Sequence, residues 1–113
     1  MTSASGVSTE QLRALALALP GTVERRTWGH PTFRLHERIV VGMDEDAGTA
    51  TIRATREAQA ALVAIAPETY DVAPRVGRHG WVRVQLATAD LRELRQLVLE
   101  ARHLAARSTR GGR

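Results

Sequence analysis

The spacing of apolar residues changes several times along this 113-residue chain, and each change marks an element. Leu12, Leu15, Ala16 and Leu19 recur at i, i+3, i+4 and i+7, which is one face of a helix. Ser8 stands where an N-cap belongs, Gln11 completes a capping box, and Pro20-Gly21 stops the helix. From Thr22 to Ala54 the period falls to two. Phe33 and Leu35 alternate with Thr32, Arg34 and His36, while Ile39, Val41 and Met43 share a face of the next run. A tight connection at His36-Glu37, a turn at 44–48 and a third strand at 49–54 complete an antiparallel meander. The helical period returns at 55–67, with Thr55 as cap, Ala58, Ala61, Leu62 and Ile65 as the buried stripe, and Pro67 as the stop. Residues 68–80 read as loop, and 81–87 as a strand with Val82, Val84 and Leu86 on one side. A long closing helix follows, capped by Asp90 with Glu93 three residues on, and Leu91, Leu94, Val98, Ala101 and Ala105 form its seam.

This order predicts an α+β domain, an antiparallel β-sheet with its helices packed on one face. Residues 1–107 form the single domain, and 108–113 read as a disordered basic tail with nothing to pack. The expected core includes Phe33, Leu35, Ile39, Val41, Ile52, Val82 and Val84. In "TWGHPTFR", residues 27–34, Trp28 reads as a buried apolar plug, Gly29 as the turn and Pro31 as the start of an edge strand.

Composition removes whole classes of chemistry. Cysteine is absent, which excludes disulfides, thiolate catalysis and thiolate zinc sites and suits a reducing cytoplasm. Every basic residue in the Lys+Arg count of 16 is Arg, so there is no Schiff-base or P-loop lysine. The serines, Ser3, Ser5, Ser8 and Ser108, all lie near the termini. The first residues lack the charge and apolar run of a signal peptide, and "LRALALALP" is too short to span a bilayer, so no membrane association is expected. The net charge of +4 suggests affinity for anions, but its surplus sits in Arg102, Arg107, Arg110 and Arg113.

The strand pattern sets Arg34, His36, Arg38, Thr51, Arg53, Trp81, Arg83 and Gln85 outward together. Guanidinium groups bind phosphate bidentately and an exposed Trp stacks on a base, so this face is a candidate nucleic-acid surface, with Arg34, Arg53 and Arg83 as phosphate contacts. An ordinary solvated face would show the same alternation. "GRHG", residues 77–80, has the G-x-x-G form of a backbone-clamping loop, and Arg78 and His79 give its tip positive character. It precedes a strand rather than joining two helices, so a flexible turn explains it as well. His30, His36, His79 and His103 lack ligand spacing, and "DEDAGT" lacks the closing Glu of a calcium loop. No metal, no cofactor and no catalytic constellation are expected.

The combination Leu19-Pro20-Gly21, Trp28-Gly29-x-Pro31-x-Phe33, Ala73-Pro74 and Gly80-Trp81-Val82, closed by a leucine-rich helix, resembles the MmcQ/YjbR family of small bacterial proteins. The resemblance runs from about the first helix to the last. It implies a CyaY-like, "double wing" α+β fold, for which DNA contact through two β-hairpin wings has been proposed. Arg38 and Arg53 stand where members often carry Lys, which keeps the charge and changes its geometry, and "EARHLA" departs from the family in the last helix. Iron-binding relatives of that fold use an acidic first helix; this one carries only Glu10. The resulting expectation is a cytoplasmic, non-catalytic DNA-binding module using Arg34, Arg38, Arg53, Arg78, His79, Trp81 and Arg83. The alternative is a protein-interaction or small-anion-sensing module.

Overall fold

The computed structural model describes residues 6–111, with side chains through Arg107. The elements are α1 (Thr9–Leu17), β1 (Val23–Thr27), β2 (His30–Leu35), β3 (Arg38–Asp44), β4 (Thr49–Ile52), α2 (Arg56–Ile65), β5 (Tyr70–Val72), β6 (Val82–Gln85) and α3 (Leu91–Gly111). Short 3₁₀ turns at Gly77–His79 and Leu86–Thr88 flank β6. The strands form one antiparallel sheet in the order β1-β2-β3-β4-β6-β5.

Register sorts the side chains. Phe33, Val41, Ile52 and Val82 are cross-strand partners, as are Met43, Ala50 and Val84, and all are buried. They join Leu12 and Ala16 of α1 and Leu94, Val98, Ala101 and Ala105 of α3 in one core, against which Ala58, Leu62, Val63 and Ala66 of α2 also pack. The helices therefore cover one face. On the other, Arg25, Thr32, Gly42, Thr51, Arg83 and Asp71 form a single transverse row.

The caps form as the sequence requires. Ser8 and Gln11 make the reciprocal capping box, Thr55 accepts from Ala58 N–H at 3.1 Å, and Asp90 accepts from Glu93 N–H at 3.0 Å. Helix α3 continues to Gly111, into the stretch expected to be a tail; Gly112 and Arg113 lie outside the described residues.

Several expectations are corrected. Trp28 is 93% exposed, not a plug. It and Gly29 have φ of +56° and +82° between the paired residues Thr27 and His30, a two-residue type I′ hairpin turn. A turn that needs positive φ at both central positions carries its first side chain outward whatever its size. Pro31 is buried on β2, an inner strand; its partner is Arg26 on β1, and pairing with β3 begins only at Thr32. The edge strand is β1, which the sequence reading missed. Ile39 is only half-buried and Val40 takes its place in the core. A β-bulge sets Phe33 against Val41 but Arg34 against Ile39, and the extra residue, Val40, turns inward. In α2, Ile65 is 80% exposed and Ala61 is exposed. Ala58 and Leu62 pack against the core as expected, but Gln59, bonded to the Gly77 and Trp81 carbonyls, and Val63 share that side in place of Ala61 and Ile65. Leu91 is also exposed, at 41%.

Candidate anion-binding groove

The expected site residues fall into two groups with different surroundings. At the end of the sheet that carries the β1–β2 tip, arginines are matched to carboxylates. Arg13 meets Glu10 at 2.9 Å, Glu24 at 3.1 Å and Glu45 at 3.0 Å, and Arg26 meets Glu45 at 3.4 Å. On the open face, Arg25 grips Glu37 with bonds of 2.6 and 3.0 Å, and Arg83 meets Asp71 at 3.0 Å. The hydrogen bond from Arg25 holds the Glu37 carboxyl below its usual range, and that from Arg13 does the same for Glu45. Arg34 forms no salt bridge among the described residues, though its charge helps lower the Glu37 pKa, and each of its three nitrogens has a partner: it donates to Thr32 Oγ1 at 3.2 Å, Thr27 Oγ1 at 2.8 Å and the Glu37 carbonyl at 3.3 Å. Arg34 and Arg83 are thus on the open face, as their alternation requires, but they tie strands together.

The opposite end of the sheet is different. One residue past β4 and one before β6, Arg53 and Trp81 face each other, the guanidinium carbon 4.6 Å from the ring centroid. The Arg53 Nε donates to the Ile39 carbonyl at 2.9 Å, and its two Nη groups have no partner among the described residues. Burial, and after it the charge of Arg38, pushes the Arg53 pKa down. That guanidinium has no counter-ion among the described residues. Around it lies a groove of about 600 Å³, lined by Arg53, Thr55, Arg56, Glu57, His79 and Trp81, with Ala54, Val76 and Leu104 as apolar floor.

Local sequence explains why the groove keeps its shape. Gly80 has φ +104°, and a Cβ there would sit 2.6 Å from the Ala54 carbonyl oxygen and 2.7 Å from the Arg56 nitrogen. Only glycine lets the Gly77–His79 turn lie directly on the start of α2. Arg56 Nε then donates to the Arg78 carbonyl at 2.9 Å, and the Gln59 amide donates to the Gly77 and Trp81 carbonyls, both at 2.8 Å. His79 lies on the groove, with its Nε2 accepting from Arg78 Nε at 3.4 Å. Of the expected residues, Arg53, Trp81 and His79 come together, with Arg38 and Arg78 adjacent. Sequence reasoning missed Arg56; its signal was its place directly after the Thr55 cap, three residues from Arg53. Among the described residues no group of His, Asp and Glu is placed to hold a metal ion, and no helix is long and apolar enough to cross a membrane.

The family model for YjbR matches residues 17–104, a span that contains the whole sheet and both walls of the groove. The chain belongs to the YjbR family. The fold of this YjbR chain is also that of the crystal structure of Deinococcus radiodurans protein DR2400, described as domain DUF419. The two share 17% identity with a TM-score of 0.79, over 92% of this chain and 81% of that one. At that identity the likeness speaks for fold alone. No curated protein matches the sequence.

Proposed function

We propose that this YjbR protein is a non-catalytic cytoplasmic binding module that holds nucleic-acid phosphate, DNA in the first instance, at the Arg53–Trp81 end of its sheet. The observation that carries this reading is the half-buried Arg53 guanidinium, stacked on Trp81 with both Nη groups open and no carboxylate partner. A phosphate oxygen pair matches that geometry, and Arg56 and His79 stand on the same groove to take further oxygens. Arg34 and Arg83, first considered as phosphate contacts, act here as sheet ties. Trp81 keeps the guanidinium oriented by a cation–π contact.

Fluorescence anisotropy of a labelled duplex, read at several salt concentrations, tests this. Wild-type affinity should fall linearly in log salt. Replacing Arg53 and Arg56 together by Gln should weaken binding and reduce the slope by about two, close to one per phosphate contact. Arg83→Gln should change neither appreciably. A wild-type protein without salt-sensitive binding, or an unchanged double variant, rejects the proposal. The size of the groove also favours a second reading, a free small phosphorylated ligand. In that case inorganic phosphate or a nucleoside monophosphate protects Arg53 and Trp81 while the duplex does not bind.

A further inference from the structure

Two features lie outside the cationic groove and remain without a role. The first is Trp28, held at a hairpin tip with almost its entire surface in water. The second is an apolar groove of about 750 Å³ between α1 and α3, walled by Leu15, Ala18, Leu19, Leu91, Val98 and Leu99. Leu91 and Leu99 are 41% and 44% exposed there, so it is the apolar ground of two helices left uncovered. An indole fits that space with room to spare.

Their charges are complementary. The tip lies at the end of the sheet that carries the β3–β4 turn, since Arg26 of its strand reaches Glu45. That turn presents Asp46, exposed, and Asp44, half-buried with one carboxylate oxygen accepting from Ala47 N–H at 3.0 Å, and neither forms a salt bridge among the described residues. The α1–α3 groove is rimmed by Arg92 and Arg95, exposed and without a hydrogen-bond or carboxylate partner among the described residues. The one acid on that groove, Asp90, is occupied in capping α3 at Glu93 N–H. Arg26 holds the tip itself, donating to the Gly29 carbonyl at 2.6 Å, and its charge is met by Glu45, so the charge left unmatched at this end of the sheet is that of Asp44 and Asp46, which a basic-rimmed apolar slot suits.

We propose that Trp28 of one copy of this chain seats in the α1–α3 groove of a second copy, with Asp44 and Asp46 meeting Arg92 and Arg95. A two-fold arrangement makes both contacts at once and closes as a dimer. Trp28 is then the buried aromatic anchor of the interface.

Sedimentation equilibrium of the full chain, from micromolar to sub-millimolar concentration, is the test. The mass should rise from one chain to two. Trp28→Ala and Leu99→Glu should each remain monomeric, because one lacks the tip and the other fills the slot. Both positions are exposed, and circular dichroism melting confirms that each variant is folded. Mixing the two variants should restore a weaker dimer, since each supplies what the other lacks. A wild-type protein monomeric throughout, a Trp28→Ala variant that dimerises normally, or a mixture that stays monomeric overturns the proposal.

Discussion

Trp28 sits in the left-handed region of φ, where an L-residue other than Gly, Asn or Asp pays in backbone strain of about 1–2 kcal/mol. With its side chain in water it gains no burial in return. In dilute solution, where the chain is a single copy, Trp28→Asn gives the favoured Asn-Gly turn and should raise the melting temperature by a few degrees. The expectation from sequence, a buried aromatic whose truncation costs about 3 kcal/mol, predicts a fall instead. Thermal melts decide between the two. The glycines separate two kinds of cost. Gly29 and Gly80 both have positive φ, but nothing lies within 4 Å of a Cβ at Gly29, whereas at Gly80 backbone atoms lie within 2.7 Å. Gly29→Ala should therefore cost only strain, on the order of 1 kcal/mol, and Gly80→Ala clearly more, because the turn must leave α2. Equal losses in urea titrations would show that the contact at Gly80 is relieved without cost. None of this was legible from composition, because "WG" reads equally as plug-and-turn or as the tip itself until the pairing of Thr27 with His30 is known.

At the scale of elements, the strongly periodic segments were legible and the short ones were not. Helix α1, the strands from β2 to β4, β6 and α3 follow from their apolar spacing and caps. Strand β5 has three residues, of which only Tyr70 is buried, too few for a period to register. Strand β1 has no buried residue at all, since it is an edge held by salt bridges and one neighbour. Tyr70 shows what the loop reading hid. Its hydroxyl donates to Glu93 Oε1 at 3.1 Å and pins β5 under the first turn of α3. Burial first, then the bond to Glu93, raises its pKa above that of an ordinary tyrosine. The unfolded chain thus loses this proton at lower pH than the folded one. Stability from this group is complete below about pH 10 and declines as pH rises above it. Tyr70→Phe should lose about 1 kcal/mol near neutral pH and flatten that alkaline decline. Denaturant midpoints measured at pH 8 and pH 11 give both quantities, and an undiminished alkaline slope in the variant would assign it to another group.

Across the whole molecule, charge is sorted by position: Arg13 and Arg26 share Glu10, Glu24 and Glu45 near the β1–β2 tip, Arg25 and Arg83 each meet one acid on the open face, and Arg53 and Arg56 in the groove and Arg92 and Arg95 on α3 have no carboxylate partner among the described residues. The sequence showed balanced totals over residues 1–101 and so pointed to the tail as the source of surplus; only folding decides which arginines find acids. The candidate site was legible to the extent that strand alternation placed Arg53 beside Trp81. Arg56 escaped because its approach depends on the glycine contact at the turn. Helix α2, which carries Arg56, has no fully buried residue, unlike α1 and α3. It is the least anchored of the three helices, and its amide hydrogens should exchange through a partial opening well below the free energy of global unfolding. Each such opening dissolves one wall of the Arg53–Trp81 groove. Occupancy of that groove should then slow exchange in α2 selectively, leaving β2, β3 and β4 at their ligand-free rates, so the helix reports binding at a distance from any label.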